Sequence, residues 1–168
     1  FCHGVGSNGK STLLETLLLL LGKLAIQAAP GLLMESRTER HPTDQADLFG
    51  KRFVSSQETE SGKRMNESLV KQLTGGDSIR ARRMREDFWE FRPTHKLWLS
   101  TNHKPVIKGT DYAIWRRIRL IPFSMIFTVD GANGTAKKDG RLKHKLRNEL
   151  PGILTWAIQG CVAWQNEG

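Results

Sequence analysis

The sequence predicts an α/β fold in which a mostly parallel β-sheet carries a phosphate-binding loop. A glycine-rich loop near the start runs directly into an apolar helix at residues 11–21. Two later β-prone runs, at residues 51–60 and 96–102, end in acidic or amide side chains. Polar groups at strand ends are typical of open α/β sheets, which bind ligands at the carboxyl edge of their strands.

The glycine-rich loop fits the pattern G-x-x-x-x-G-K-[ST] with every fixed position filled. Glycines allow the left-handed backbone in which successive N–H groups turn toward a polyphosphate, at the N-terminus of the next helix. Lys10 is expected to reach the β- and γ-phosphates, and the Ser11 hydroxyl to coordinate Mg²⁺. The alternative is a glycine-rich turn before a buried helix. The predicted nucleotide-binding residues are Gly4, Gly6, Ser7, Asn8, Gly9, Lys10, Ser11 and Thr12.

The length and composition of the chain indicate one globular domain over residues 1–168, with 38% hydrophobic and 26% charged residues. Only Phe1 to His3 precede the loop, which is too short for the buried strand expected there. We therefore expect a piece of a longer protein that lacks this first strand and a C-terminal continuation.

The net charge of +9 points to a polyanionic partner, nucleic acid first, although a solvated basic surface gives the same composition. Cys2 and Cys161 match no metal or redox spacing, which indicates a reducing cytosolic setting. The leucine run at residues 17–21 is far shorter than the ~20 apolar residues of a membrane span. No membrane association is therefore expected.

The region between the first helix and residue 51 predicts connecting structure. Pro30-Gly31 predicts a turn, followed by a brief strand at Leu32-Leu33. A polar surface loop is expected next, with Thr43 or Asp44 as the cap of a short helix that ends at Gly50.

The run at residues 51–60 is placed where P-loop ATPases carry their second, acidic motif. An acid at the tip of such a strand holds Mg²⁺ through water or polarises the attacking water, and Glu58 is the predicted residue. Gln57 stands where a second acid is often found, which leaves the division of labour at the metal open. The alternative is that Glu58 and Glu60 are ordinary surface carboxylates.

The most basic part of the chain follows a short amphipathic helix that Asn66 is predicted to cap. Residues 78–93 predict a β-hairpin with arginines near its tip, which contact nucleic-acid phosphates without reading bases. A salt-bridged surface hairpin is the alternative. Trp89 either packs beneath the hairpin or stacks on a base, and the sequence leaves both open. The predicted DNA-binding residues are Arg82, Arg83 and Arg85.

Two further strands are predicted. The first, at residues 96–102, ends in Asn102, which is expected near the γ-phosphate, where it orients the lytic water, unless it only forms a turn. The second covers residues 118–121, with Arg116 and Arg117 at its entrance. One of these arginines is a candidate arginine finger for the ATP of a neighbouring subunit, and a basic strand edge is the alternative.

The C-terminal part predicts a mobile loop at residues 128–140 and two helices over residues 141–165, split at Pro151-Gly152. The helices carry enough apolar side chains to pack against a neighbour.

Six blocks of the sequence, in order, resemble the superfamily 3 helicases, and more closely the helicase module at the C-terminal end of phage and plasmid primases, which is related to poxvirus primase-helicases. The blocks are GVGSNGKSTLL, GKRFVSSQETE, KQLTGGDSIRARRM, LSTNHKP, DYAIWRRIRLIPF and LPGILTWAIQG. The resemblance implies an AAA+-like α/β ATPase with an inserted β-hairpin, arranged as a three-layer sandwich. It also implies a homo-oligomeric ring, usually a hexamer, that moves along single-stranded DNA with ATP and Mg²⁺ as cofactors.

Carried over by position, the resemblance implies roles for individual residues. Lys10 and Ser11 bind nucleotide and metal, and Glu58 serves the acidic motif and the metal. Arg117 is the arginine finger, with Arg116 as the alternative. The implied catalytic set is Lys10, Glu58, Asn102, Arg117 and Arg116.

The function expected from the resemblance is an ATP-dependent helicase in a phage or plasmid replication system of a bacterial host, with a primase fused or associated. A nucleotide or small-molecule kinase would use the same loop, but it needs an acceptor pocket and a lid. A nucleic-acid-binding module whose loop merely binds an anion is the third possibility.

Overall fold

The structure is a computed structural model that describes residues 1–36, 42–58 and 60–167. Its strands are β1 (Cys2–His3), β2 (Ala25–Gln27), β3 (Phe53–Glu58), β4 (Ile79–Ala81), β5 (Trp89–Phe91), β6 (Lys96–Thr101), β7 (Ile121–Pro122), β8 (Phe127–Thr128) and β9 (Ala136–Lys137). Its α-helices are α1 (Lys10–Leu21), α2 (Thr43–Ala46), α3 (Glu67–Gly75), α4 (Tyr112–Trp115), α5 (Leu142–Asn148) and α6 (Leu150–Glu167). The alternation of strands and helices confirms the predicted α/β class.

The centre of the fold is a five-stranded sheet in the order β2-β3-β6-β1-β7. Every pairing in it is parallel, and β3 and β6 pair over their full length from Phe53↔Lys96 to Glu58↔Thr101. Because all five strands run the same way, their carboxyl ends meet at one edge. The mostly parallel sheet predicted from the sequence is confirmed.

Residues 1–3 were predicted to be too short for a strand before the loop, but two of them form one. Cys2 and His3 form β1, which pairs with β6 on one side and β7 on the other. Cys2 is fully buried, because two strands and α1 surround it. The loop that follows therefore leaves the sheet from a central strand.

The two faces of the sheet are covered separately, as the period of two along a strand requires. On one face, Phe53 and Trp98 pack against Leu14 of α1. On the other face, Val54 and Leu99 belong to the larger core. Helix α1 ends at Leu21, and Gly22 closes it with a positive φ of 50°, as predicted.

Helix α3 covers the larger core as predicted. Asn66 caps it by accepting a hydrogen bond from the backbone N–H of Leu69 at 3.0 Å. Its apolar face, formed by Leu69, Val70 and Leu73, is buried. Burial of a leucine side chain contributes about 1.5–3 kcal/mol, so this face fixes α3 to the sheet.

The predicted hairpin is present as the antiparallel pair β4-β5, with Ile79 opposite Phe91 and Ala81 opposite Trp89. Trp89 packs beneath it, because its ring lies 4.9 Å from the ring of Phe49. Of the two alternatives left open for Trp89, packing is the one the fold uses.

Several predicted boundaries were wrong. Leu32 and Leu33 lie in a buried turn, and the strand lies earlier, at β2. Helix α2 ends at Ala46, and among the described residues no side chain caps its N-terminus by a hydrogen bond. Part of the polar loop predicted before it, residues 37–41, and Thr59 lie outside the described residues.

The strand predicted at residues 118–121 is confined to β7. The backbone N–H of Ile118 bonds to the carbonyl of Trp115 at 3.1 Å, so the turn of α4 continues into this stretch. The loop predicted at residues 128–140 contains β9 and begins within β8. The helix break lies at Glu149, and Pro151 falls in the first turn of α6, where proline is tolerated. No helix among the described residues has the length and apolar character to cross a membrane.

Candidate functional site

A cleft of about 730 Å³ lies at the carboxyl edge of the sheet. It brings together four side chains that the sequence analysis had selected from three separate blocks, namely Lys10, Ser11, Glu58 and Asn102. The glycine-rich loop from Gly6 to Gly9 forms one side of the cleft. The site therefore occupies the position at which open α/β sheets bind ligands.

The backbone of the loop requires its glycines. Gly6 and Gly9 have φ values of 103° and 85°, and Ser7 between them also has a positive φ of 45°. Gly4 is needed for a different reason, since a Cβ there would lie 2.2 Å from Asn8 Nδ2 and 2.3 Å from the carbonyl oxygen of Phe123. The loop is thus packed directly against the segment after β7.

Lys10 is buried at the base of the loop, with 5% of its surface exposed. Its Nζ donates hydrogen bonds to the carbonyl oxygen of Gly4 and to Oδ1 of Asn8. Asn8 is held in turn, because its Nδ2 donates to the carbonyl oxygen of Phe123 at 3.1 Å. Burial lowers the pKa of Lys10, and the buried thiol of Cys2 partly opposes this shift. A buried ammonium whose bonds to the described residues all go to neutral acceptors is suited to an incoming phosphate.

Glu58 ends β3 and is 7% exposed. Its Oε1 accepts a hydrogen bond from the backbone N–H of Glu60 at 2.8 Å. Gln57 also lines the cleft but is solvent-exposed. Glu58 is thus a buried carboxylate at the cleft, whereas Glu60 is exposed and does not line it.

The oxygen donors at the cleft fit Mg²⁺. Among the described residues no group of three or more His, Cys, Asp or Glu side chains is arranged to hold a metal. A hydroxyl from Ser11 and a carboxylate from Glu58 are oxygen donors, which suit a cation that keeps several waters and completes its shell with substrate phosphates. Mg²⁺ has these preferences.

Asn102 follows β6 directly and is half-buried at the rim of the cleft. The turn that places it is fixed by Thr101, whose Oγ1 donates to the carbonyl oxygen of His103 and accepts from its backbone N–H. Thr101 also pairs with Glu58 in the β3-β6 register. The acid and the amide therefore end adjacent parallel strands.

The opposite wall of the cleft was not predicted from the sequence. This wall is formed by Phe127, Lys137, Lys138, Asp139, Gly140, Leu142 and Lys143. The backbone N–H of Phe127 donates to the carbonyl oxygen of Ser7 at 2.8 Å, so the wall is attached to the loop. The lysines in this glycine-rich stretch were a usable signal, but the stretch was interpreted as a mobile loop.

Arg116 and Arg117 do not line the cleft. Arg116 is exposed, whereas Arg117 is half-buried and donates through Nη1 to the carbonyl oxygen of Ala113. Nε of Arg117 is buried and has no hydrogen-bond partner in the described part of the chain. The structure therefore does not bring this pair to the nucleotide loop of the same chain.

Arg82, Arg83 and Arg85 lie together in the exposed connection between β4 and β5, also outside the cleft. The guanidinium carbon of Arg82 lies 4.8 Å from the ring centroid of Phe88, and that of Arg80 lies 4.5 Å from it. Because Arg80 and Arg82 stack on the same aromatic ring, their side chains have a defined position at the start of this basic connection.

Residues 2–117 match the protein family described as "Family of unknown function (DUF5906)". The chain belongs to this family. The matched part of the DUF5906 chain contains the loop, Glu58, the hairpin, Asn102 and the arginine pair. The wall of the cleft lies beyond the match.

Relatives of this DUF5906 chain are viral proteins. It is 35% identical over 144 residues to "Putative helicase L207/L206" of Acanthamoeba polyphaga mimivirus, with 84% of this chain and 15% of that protein covered. It is 30% identical over 184 residues to "Putative helicase 022R" of Frog virus 3, with 99% and 18% covered. It is 27% identical over 119 residues to "Putative primase C962R" of African swine fever virus (strain Badajoz 1971 Vero-adapted), with 69% and 12% covered. The chain thus spans less than a fifth of the length of each.

The fold is also similar to a solved structure titled "The A form apo structure of NrS-1 C terminal region-CTR". The TM-score is 0.64 at 14% sequence identity, and the similarity covers 90% of this chain and 34% of that chain. At this identity the likeness establishes the shared α/β fold.

Proposed function

We propose that this chain is the ATP-binding core of a DNA helicase or translocase, of the superfamily 3 type, within a longer replication protein. The observation that carries the proposal is the single cleft in which Lys10, Ser11, Glu58 and Asn102 meet at the carboxyl edge of a parallel sheet. A lysine on a glycine-rich loop, a hydroxyl for a metal, a buried acid and an amide are the parts that ATP hydrolysis needs.

Each of these side chains has a chemical role in the proposed reaction. The ammonium of Lys10 exchanges its bonds to Gly4 and Asn8 for bonds to the β- and γ-phosphates. Ser11 and Glu58 would hold Mg²⁺, which would neutralise charge on the phosphate oxygens. Glu58 also polarises the attacking water, and Asn102 orients that water toward the γ-phosphate.

The wall formed by residues 127–143 gives the cleft the composition of a nucleoside triphosphate site. Lys137 and Lys138 on this wall add to the positive charge of Lys10 across the cleft, which favours a polyanion. Phe127 remains 37% exposed at the cleft and offers an apolar ring for the base. We therefore assign nucleoside triphosphate binding to both walls together.

Oligomerisation follows from the position of the arginine pair in this proposal. Charge that develops on the transferring phosphoryl group is stabilised by an arginine finger, supplied within the chain or by a partner. Arg117, with Arg116 as the alternative, lies outside its own cleft and would serve the cleft of the next subunit. Head-to-tail contacts of this kind close into a ring, for which the resemblance implies six subunits.

Single-stranded DNA is the proposed polyanionic partner. Arg82, Arg83 and Arg85 are exposed at the hairpin and are available for phosphate contacts. The relatives named as helicases and as a primase support this partner and the presence of a primase in the same protein or complex. A mobile-element replication system in a bacterial host cytoplasm stays a prediction, since the relatives reported above belong to viruses of other kinds.

The test is ATP hydrolysis by the full-length parent protein with and without single-stranded DNA, with Lys10→Ala as the control. We expect DNA to raise turnover and Lys10→Ala to abolish it. Hydrolysis indifferent to DNA would contradict the helicase proposal. Phosphate transfer to a nucleoside monophosphate would instead support the kinase alternative.

A further inference from the structure

Helix α3 leads directly into the arginine-rich hairpin. Its last residue is Gly75, Gly76 follows in the left-handed conformation, and β4 begins at Ile79. Leu73 at the end of the helix and Ile79 are both fully buried in the same core. The end of α3 and the base of the hairpin are therefore separated by few residues and packed in one core.

The same helix holds the segment that precedes the arginine pair. Oε1 of Glu67 accepts hydrogen bonds from the backbone N–H groups of Lys108 at 2.8 Å and Gly109 at 2.9 Å. One turn further along, Nζ of Lys71 forms an ion pair with Oδ2 of Asp111 at 2.7 Å. Two successive turns of α3 therefore bind this segment.

Asp111 links that ion pair to α4. Its Oδ1 accepts from the backbone N–H of Ile114 at 3.0 Å and so caps the short helix, while its Oδ2 pairs with Lys71. Both bonds hold the pKa of the Asp111 carboxyl below its usual range, with the Lys71 bond as the larger cause. The indole Nε1 of Trp115 donates back to the carbonyl oxygen of Gly109 at 3.0 Å. The orientation of α4 is thus set by α3.

Arg117 lies between α4 and the end of α3. Nη1 is bonded to the carbonyl oxygen of Ala113, and Nη2 lies 3.7 Å from where a Cβ on Gly75 would be. Its Nε is buried with no hydrogen-bond partner among the described residues. An unpaired buried N–H costs free energy, so rotation of this guanidinium to form a hydrogen bond with an anion is favourable.

We propose that α3 couples Arg117 to the hairpin, and that Lys71 and Glu67 are positioning residues for this arginine. Movement of the hairpin on DNA changes the place of α3, and through these side chains it changes how Arg117 meets the nucleotide of the next subunit. This inference rests on the proposed function, because it requires DNA-stimulated hydrolysis with Arg117 as the finger.

The test compares Lys71→Met and Lys71→Arg in the full-length protein, with Lys51→Met as the matched control. Lys51 is likewise half-buried, and its Nζ donates a hydrogen bond to the carbonyl oxygen of Lys23 at 2.9 Å, away from α3. ATP turnover is measured with and without single-stranded DNA, together with the KM for ATP and the thermal unfolding temperature.

We expect Lys71→Met to lower the stimulation of kcat by DNA by about threefold or more, with basal turnover and KM unchanged. Lys71→Arg should restore stimulation, and Lys51→Met should behave as wild type.

Two results would overturn the coupling while leaving the proposed function intact. One is unchanged DNA stimulation in Lys71→Met. The other is an equal fall of basal and stimulated turnover with a lower unfolding temperature, which would make Lys71 a purely structural residue. A wild-type protein without DNA stimulation would refute the proposed function first, and the coupling with it.

Discussion

Substitution of Gly4 by alanine tests the packing of the nucleotide loop against the sheet. The added Cβ would lie 2.3 Å from the carbonyl oxygen of Phe123 and 2.2 Å from Nδ2 of Asn8. Asn8 is able to swing away, but Phe123 is held to β1, since its backbone N–H donates to the carbonyl oxygen of His3 at 2.7 Å. The loop therefore has to move by roughly 1 Å to reach ordinary contact distance.

The size of the effect follows from what that movement breaks. Asn8 loses its bond to Phe123, which has a net value of about 0.5–1.5 kcal/mol. Overpacking of the site adds about 1–3 kcal/mol. With roughly 1.4 kcal/mol for each factor of ten, we expect ATP affinity to fall at least about tenfold.

The assay is a titration of the full-length protein with a fluorescent ATP analogue. Gly160→Ala on α6 is the control, because a Cβ there meets nothing within 4 Å and alanine favours a helix over glycine. Wild-type affinity in Gly4→Ala would refute the reasoning that this loop must approach Phe123 so closely.

Three further predictions concern other parts of the molecule. Arg117→Ala should keep ATP binding and block turnover, and normal turnover in that variant would exclude Arg117 as the arginine finger. A plot of the logarithm of the association constant for single-stranded DNA against the logarithm of salt concentration should have a slope near −0.7 for each phosphate neutralised. Arg83→Ala should make this slope shallower. Binding that does not change with salt would contradict the role of the hairpin. His95 is buried, its ring nitrogens lack partners among the described residues, and burial followed by the charge of Lys96 lowers its pKa. His95 is therefore protonated below about pH 6.5 in the unfolded chain, but only at a lower pH in the folded chain. The free energy of unfolding should fall as the pH is lowered through this range. Thermal unfolding at pH 7.5 and 5.5 should show a smaller loss in His95→Phe than in wild type or in His144→Phe, a change at an exposed histidine; an equal loss in all three would exclude His95 as the cause.

Four residues predicted from the sequence line the cleft, namely Lys10, Ser11, Glu58 and Asn102. The local sequence around each of them determines its position. Lys10 and Ser11 belong to a contiguous motif that specifies both the loop and the helix after it. Glu58 and Asn102 are far apart in sequence, yet each ends an apolar run, and parallel strands bring such ends to the same edge.

The parts that the sequence did not locate depend on contacts between distant segments. Asn8 meets Phe123 and Ser7 meets Phe127, and no local pattern near residue 8 indicates either contact. The same holds for the lysines of the cleft wall, whose glycine-rich surroundings are typical of loops. Leu120 belongs to an apolar run but stays outside β7, because the turn of α4 continues to Ile118.

In the proposed function one cleft both binds and hydrolyses ATP, with separate residues for the two tasks. Binding of a fluorescent ATP analogue and single-turnover hydrolysis should be measured on the full-length wild type, Lys10→Ala and Glu58→Gln. We expect Lys10→Ala to lose binding, and Glu58→Gln to bind ATP with near wild-type affinity but to hydrolyse it at least about 100-fold more slowly. Normal hydrolysis in Glu58→Gln, or normal binding in Lys10→Ala, would contradict the proposed function.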